Sequence, residues 1–191
     1  TTYRMVVDVG GDFGDPAATL LKFKLALLPS PPNDDFANRL LLGTSAASTN
    51  ASNFGATIET NEPNHALGIG FGTQLSDQTV WWTWNSPLHL PGKVVVVSTN
   101  FLTTVNVYTG TSMTNLTRVA GRTGTGPTNE VAFNAIPFTS YVIAVDGNDG
   151  GAGFYTLSAG YASSPPNDNF ANRITLTGTN IGATTLDPVT V

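Results

Sequence analysis

The chain has two histidines, and one of them has a carboxylate at a useful spacing. His65 follows Glu62 by three residues, which can set an imidazole against an acid for proton transfer or supply half of a metal site. The same four residues also make a turn around Pro63 in which both side chains bond to backbone, and the sequence favours that reading. His89, between Leu88 and Leu90, reads as a loop residue. No serine occupies a Gly-x-Ser-x-Gly nucleophile elbow. Nothing else assembles a catalytic set, so the chain reads as a non-enzyme.

Calcium is the better metal candidate, because it takes hard oxygen ligands from carboxylates, amides and carbonyls. Asp146-Gly-Asn-Asp149 supplies them with Asp146 and Asp149, and Asp8-Val-Gly-Gly-Asp12 does so with Asp8 and Asp12. Asp, Asn and Gly are equally what a tight hairpin turn demands. Asn33-Asp34-Asp35 carries the same ambiguity, with helix capping as the plainer role. The tryptophans offer another chemistry, stacking on a sugar ring. Val80, Trp82 and Trp84 alternate onto one strand face, so Trp81 and the outward Tyr108 are the two candidate contacts for a glycan.

These residues sit inside a repeat. Pro31-Pro-Asn-Asp-Asp-Phe-Ala-Asn-Arg39 returns as Pro165-Pro-Asn-Asp-Asn-Phe-Ala-Asn-Arg173, an offset of 134 (165 minus 31), with only Asp35 and Asn169 different. Tyr3-Arg-Met-Val-Val-Asp8 is echoed by Tyr141-Val-Ile-Ala-Val-Asp146, and Asn53-Phe-Gly-Ala-Thr57 by Asn180-Ile-Gly-Ala-Thr184. A duplication at that distance marks a repeated domain. Residues 1–30 read as the C-terminal hairpin of one repeat, with strands over 4–9 and 19–27. Residues 31–164 read as a complete repeat and 165–191 as the opening strands of a third. Isolated hairpins are marginal in water and bare strand edges recruit partners, so further copies must complete both ends. Either the chain is a window on a tandem array, the favoured reading, or it is a subunit completed in trans by its neighbours.

The junction residues are Pro31, Pro32, Asp34 and Phe36, then Pro165, Pro166, Asp168 and Phe170. Paired prolines stiffen the crossover. Asn33 or Asp34 can cap one helical turn, with Phe36 and Leu40 turned inward.

Composition bounds the rest. Only 11% of residues are charged and the net charge is -5, with eight scattered basic residues, which excludes nucleic acid as a partner. There is no cysteine and therefore no disulfide or thiolate metal site. No apolar run is long enough to span a membrane. Asn50-Ala-Ser and Asn115-Leu-Thr match the glycosylation sequon, a pattern common by chance. Short β-rich runs separated by turns predict strands over 79–85, 93–98, 104–109, 130–135, 140–145 and 153–158. The run 93–98 reads as a central strand covered on both faces, and 140–145 with 153–158 as a closing hairpin. The fold class is all-β: an antiparallel sandwich, jelly-roll-like, repeated with a period of about 134 residues. Its core would hold Trp82, Trp84, Val105, Val107, Phe133, Tyr141, Ile143 and Val145.

Several phrases, in order across the central repeat, resemble bacterial repeats related to the pre-peptidase C-terminal domain. They are Pro-Pro-Asn-Asp-Asn-Phe-Ala-Asn, Ala56-Thr-Ile-Glu-Thr-Asn-Glu-Pro-Asn-His65, Val80-Trp-Trp-Thr-Trp84, Val107-Tyr-Thr-Gly110 and Tyr141-Val-Ile-Ala-Val-Asp-Gly147. The resemblance implies tandem jelly-roll sandwiches in secreted or cell-surface proteins, accessory or structural in role. Two acidic positions of such repeats are replaced here, by Leu102 after Phe101 and by Gly121-Arg122, so a calcium site resting on them does not carry over. The expected function is an extracellular fibre, stalk or adhesin-like filament of end-to-end sandwiches. The alternative is a carbohydrate- or calcium-binding accessory module of a secreted enzyme.

Overall fold

Nine strands are described, and their alternating apolar positions explain why they stack as two layers. The structure, a computed structural model, describes residues 29–65, 77–163, 165–175 and 177. The strands are β1 (Leu40–Thr44), β2 (Ala47–Ser52), β3 (Val80–Ser86), β4 (Pro91–Val97), β5 (Thr103–Thr109), β6 (Thr117–Thr123), β7 (Thr128–Asn134), β8 (Thr139–Gly147) and β9 (Phe154–Tyr161). One sheet has the order β1-β3-β8-β5-β6 and the other β2-β9-β4-β7. Odd-numbered strands all run toward one pole, here called upper, and even-numbered strands toward the lower pole.

The interior between the sheets contains every expected core residue: Trp82, Trp84, Val105, Val107, Phe133, Tyr141, Ile143 and Val145. Burial of such side chains is worth about 1.5–3 kcal/mol each and drives the layering. Trp82 and Trp84 keep their indole N–H groups satisfied, donating to Tyr155 Oη at 3.1 Å and to the Ser45 carbonyl at 2.7 Å.

Four expectations about the strands change. β1 pairs with β3 in parallel, Leu40 beside Trp82, so the sheets are not wholly antiparallel. β4 is covered on one face alone: Val94 and Val96 are buried, whereas Val97 is 41% exposed. Its all-valine run hides the alternation that would have revealed this. β8 and β9 do not form a hairpin, since β8 pairs with β3 and β5 and β9 with β2 and β4. The Asp146–Gly151 segment is therefore a crossover between layers. It is tight enough that a Cβ on Gly147 would lie 1.6 Å from the Gly151 carbonyl oxygen. Finally, Leu40 is 39% exposed and not inward.

The expected strands over 4–9 and 19–27, Asp8, Asp12, Asn180–Thr184 and most of 174–191 lie outside the described residues. No described helix is long and apolar enough to cross a membrane.

Candidate functional site

The outer face of the five-stranded sheet is where the sequence's separate candidates meet. Residues 31–39 fold into a turn, Asp34 N–H donating to the Pro31 carbonyl at 3.1 Å, followed by a 3-10 turn over Phe36–Asn38. Proline at the first positions fixes φ and leaves few donors to satisfy, so the sequence favours this shape locally. Arg39 closes it. Its Nη1 donates to the Phe36 carbonyl at 2.9 Å while the guanidinium covers the Phe36 ring at 4.4 Å.

Phe36 then drops into a socket made by Trp81, Tyr108, Val142 and Ala144, with Met113 and Leu116 at its margin. The Phe36 and Trp81 rings meet edge to face at 5.2 Å. Polar clamps hold the element in register. Asn33 and Trp81 exchange two hydrogen bonds, Trp81 N–H to the Asn33 carbonyl at 2.9 Å and Asn33 Nδ2 to the Trp81 carbonyl at 2.9 Å. Asp34 accepts from Thr57 N–H at 2.6 Å and Thr57 Oγ1 at 3.1 Å. Glu59 accepts the Phe36 N–H. Asn33 and Asp34 thus reach across the fold and do not cap the turn; its N-cap is Asp35, whose side chain makes no capping bond to backbone and instead accepts from Asn38 Nδ2 at 3.2 Å.

Behind the clamps lies a buried polar row. Glu62 accepts the Glu59 N–H at 2.9 Å and stands 3.2 Å from His65 Nε2; His65 Nδ1 lies 2.8 Å from Tyr108 Oη. The His65 and Glu62 side chains are 0% and 1% exposed. The pair therefore exists, contrary to the expectation of a turn bonded only to backbone, but it supports the socket and is sealed from any substrate. Burial pushes the Glu59 carboxyl up, opposed by the Phe36 N–H and reinforced by Asp35, Glu62 and Asp34. Burial likewise raises the Tyr108 hydroxyl, against the pull of Arg118.

The two proposed glycan contacts are corrected by this arrangement. Trp81 is 0% and Tyr108 2% exposed, because the element 31–39 and the 57–65 segment cover the sheet face on which both point. Alternation along β3 and β5 correctly put them opposite the core, but not what lay on top. The calcium candidates Asp146 and Asp149 are not drawn together with other acids: among the described residues no group of three or more His, Asp or Glu side chains is placed to hold a metal. Asp146 is buried, and its Oδ1 accepts from Gln78 N–H at 3.2 Å and Gly147 N–H at 2.8 Å. Desolvation raises its pKa to about 6, against the pull of His65. Asp149 is exposed, in a left-handed turn position at φ 55. His89 is an exposed loop residue, as expected.

Sequence reasoning missed Thr57, Glu59 and Asn53. The buried Asn53 donates to the Gln78 and Gly151 carbonyls at 3.1 and 3.2 Å and accepts from Gly153 N–H at 2.9 Å, tying down the β8–β9 crossover. The echo of Asn53–Thr57 at 180–184 was the available signal.

No protein-family model matches the chain, and no curated protein matches it. Among solved structures it is similar to the pre-peptidase C-terminal domain of a collagenase from Bacillus anthracis. The identity is 19% and the TM-score 0.43, over 70% of this chain and 99% of that one.

Proposed function

We propose that the chain is a non-catalytic structural module of an extracellular fibre, stalk or adhesin, in which sandwiches follow one another and each is opened by its own Pro-Pro-Asn-Asp element. One observation carries the reading. The element occurs twice with the same internal bonds, seated once against a sandwich and bare once. In the second copy Asp168 N–H donates to the Pro165 carbonyl at 3.0 Å, and Arg173 Nη1 to the Phe170 carbonyl at 3.2 Å. Yet Phe170 is 80% exposed where Phe36 is 6% exposed. An aromatic presented in this way fits the opening of another sandwich of the same construction.

Residues 162–164 are all that separate β9 from this second element, so the joint is short. The weakly charged surface, rich in Thr, Ser and Asn, suits a stalk that must not stick by ionic contact. The glycan-binding form of the alternative loses support with the burial of Trp81 and Tyr108. Small-angle scattering on one, two and three tandem copies of residues 31–164 tests the reading. A maximum dimension growing by a constant step per copy supports a stiff rod; the profile of freely jointed beads, or micromolar binding of calcium or a glycan by calorimetry, would overturn it.

A further inference from the structure

The two poles of the sandwich are unlike. At the upper pole the connections after β3 and β7 are bonded into one rigid tip. Phe138 N–H donates to the Ser86 carbonyl at 2.7 Å, Ala135 N–H to the Leu90 carbonyl at 3.0 Å, Leu88 N–H to Tyr161 Oη at 3.1 Å, and Ile136 N–H to Tyr141 Oη at 2.8 Å. This tip carries Phe138 at 95% exposure, with Ile136, Leu88 and Leu90 also exposed. Phe138 sits at φ 57, a left-handed conformation that costs a bulky residue on the order of 1–3 kcal/mol. Within one sandwich the exposed ring gains nothing to offset that cost.

At the lower pole the loops 98–102 and 126–127 are joined by Ser98 N–H donating to the Pro127 carbonyl at 2.8 Å. They frame an open groove of about 470 Å³, lined by Phe101, Leu102, Gly126 and Pro127 among others.

We propose that Phe138 of one molecule enters the lower-pole groove of a second copy of this chain, in a head-to-tail contact. An apolar knob and an apolar groove stand at opposite ends of the same sandwich. Each contact therefore leaves one knob and one groove free, the heterologous arrangement that generates open chains. The occupant is argued from the connection as well. Residues 162–164 reach at most about 10 Å from the upper pole. The element that follows them seats, in its first copy, where β3 begins, near the lower pole. In a tandem array of the kind proposed above, the next sandwich would bring its lower pole to this one's upper pole, the same pairing of ends that the contact between molecules uses. The proposal rests on the structural reading above for the choice of another copy as the occupant and for the order of the poles, and on the knob and groove themselves for the contact.

Sedimentation velocity on the whole chain, over a wide concentration range, provides the test with two variants. Phe138→Asp removes the knob with a residue that tolerates the left-handed conformation. Gly126→Arg fills the groove from a position where an added Cβ meets nothing within 4 Å. Both should match the wild type in urea denaturation. The wild-type average mass should climb with concentration past twice the 20.0 kDa monomer without a plateau. Each variant alone should stay monomeric, and their equimolar mixture should form a dimer and nothing larger. A wild type that stays monomeric, one that halts at a dimer, or a mixture that fails to pair overturns the proposal. None of these results touches the covalent rod read by scattering, so the two ideas fail separately.

Discussion

Two nearly identical nonapeptides lie in this molecule in opposite circumstances. Over 31–39 and 165–173 the turn, the 3-10 helix and the arginine over the phenylalanine are the same, with guanidinium-to-ring distances of 4.4 and 4.5 Å. The surroundings are not: Phe36 is buried against Trp81, and Phe170 lies open. Local sequence therefore sets the shape of the element, while its contribution to stability comes from the sheet face beneath it. Shape and seat are separable, and substitutions made in pairs can measure each.

The largest difference should come from the rings. Phe36→Ala removes a buried aromatic and should cost about 3–5 kcal/mol, the usual range for such truncations in a core. Phe170→Ala should change sandwich stability by less than about 0.5 kcal/mol, as surface substitutions do. Urea denaturation followed by tryptophan fluorescence reads both, since Trp81 reports the socket directly. Equal losses would mean that the second copy is also seated, and the comparison would collapse.

Acid tests the region around the seat. Asp146 has a folded pKa of about 6, above the ordinary aspartate value near 3.9. A raised value means that the fold favours the protonated carboxyl. Its contribution is complete below the unfolded pKa and is lost as pH rises through about 6. A shift of this size corresponds to about 3 kcal/mol across that window. Asp146→Asn keeps an oxygen to accept from Gln78 and Gly147 and carries no charge. It should be more stable than wild type at pH 7 and lack the decline between about pH 4 and 6. Unfolding curves across pH that remain parallel for the two proteins would refute this.

The carboxylate clamp should come next. Asp34→Ala leaves the Thr57 N–H and hydroxyl without their acceptor, a loss of about 1–3 kcal/mol, whereas Asp168→Ala should leave the sandwich unchanged. A matching loss in the second variant would show that 165–173 leans on the same face.

Much of this fold could be read from sequence, for reasons that particular residues make plain. Val80, Trp82 and Trp84 alternate on β3, and Val105 and Val107 on β5, so period two placed them inward. β4 failed because Val94 through Val97 offer no contrast between faces. The β8–β9 crossover failed because Asp146–Gly151 has the composition of a hairpin turn, and nothing local says which layer the chain enters next. The seat was half legible. The duplication singled out Pro31, Asp34 and Phe36, and alternation singled out Trp81 and Tyr108, but their meeting depends on residues 48 and 72 positions apart, Asn33 with Trp81 and Phe36 with Tyr108. Sheet-face coverage is a tertiary fact, which explains why two buried aromatics were mistaken for surface contacts.

The smallest effect sharpens the comparison most, because the contact behind it is the same in both copies. Arg39 and Arg173 each bond back to the phenylalanine carbonyl and cover its ring. A cation over an aromatic face contributes about 0.5–1 kcal/mol at exposed sites. That contact is internal to each nonapeptide, so Arg173→Ala should loosen the second turn as Arg39→Ala loosens the first. Amide hydrogen exchange at Asp168 and Arg173 would rise in the one and at Asp34 and Arg39 in the other. In the first copy the loosening is resisted by the Asn33, Asp34 and Glu59 clamps, so the rise should be smaller there. If Arg173→Ala left exchange at 165–173 unchanged, the turn would be held by prolines alone, and the arginine would matter only once a sandwich sits beneath it.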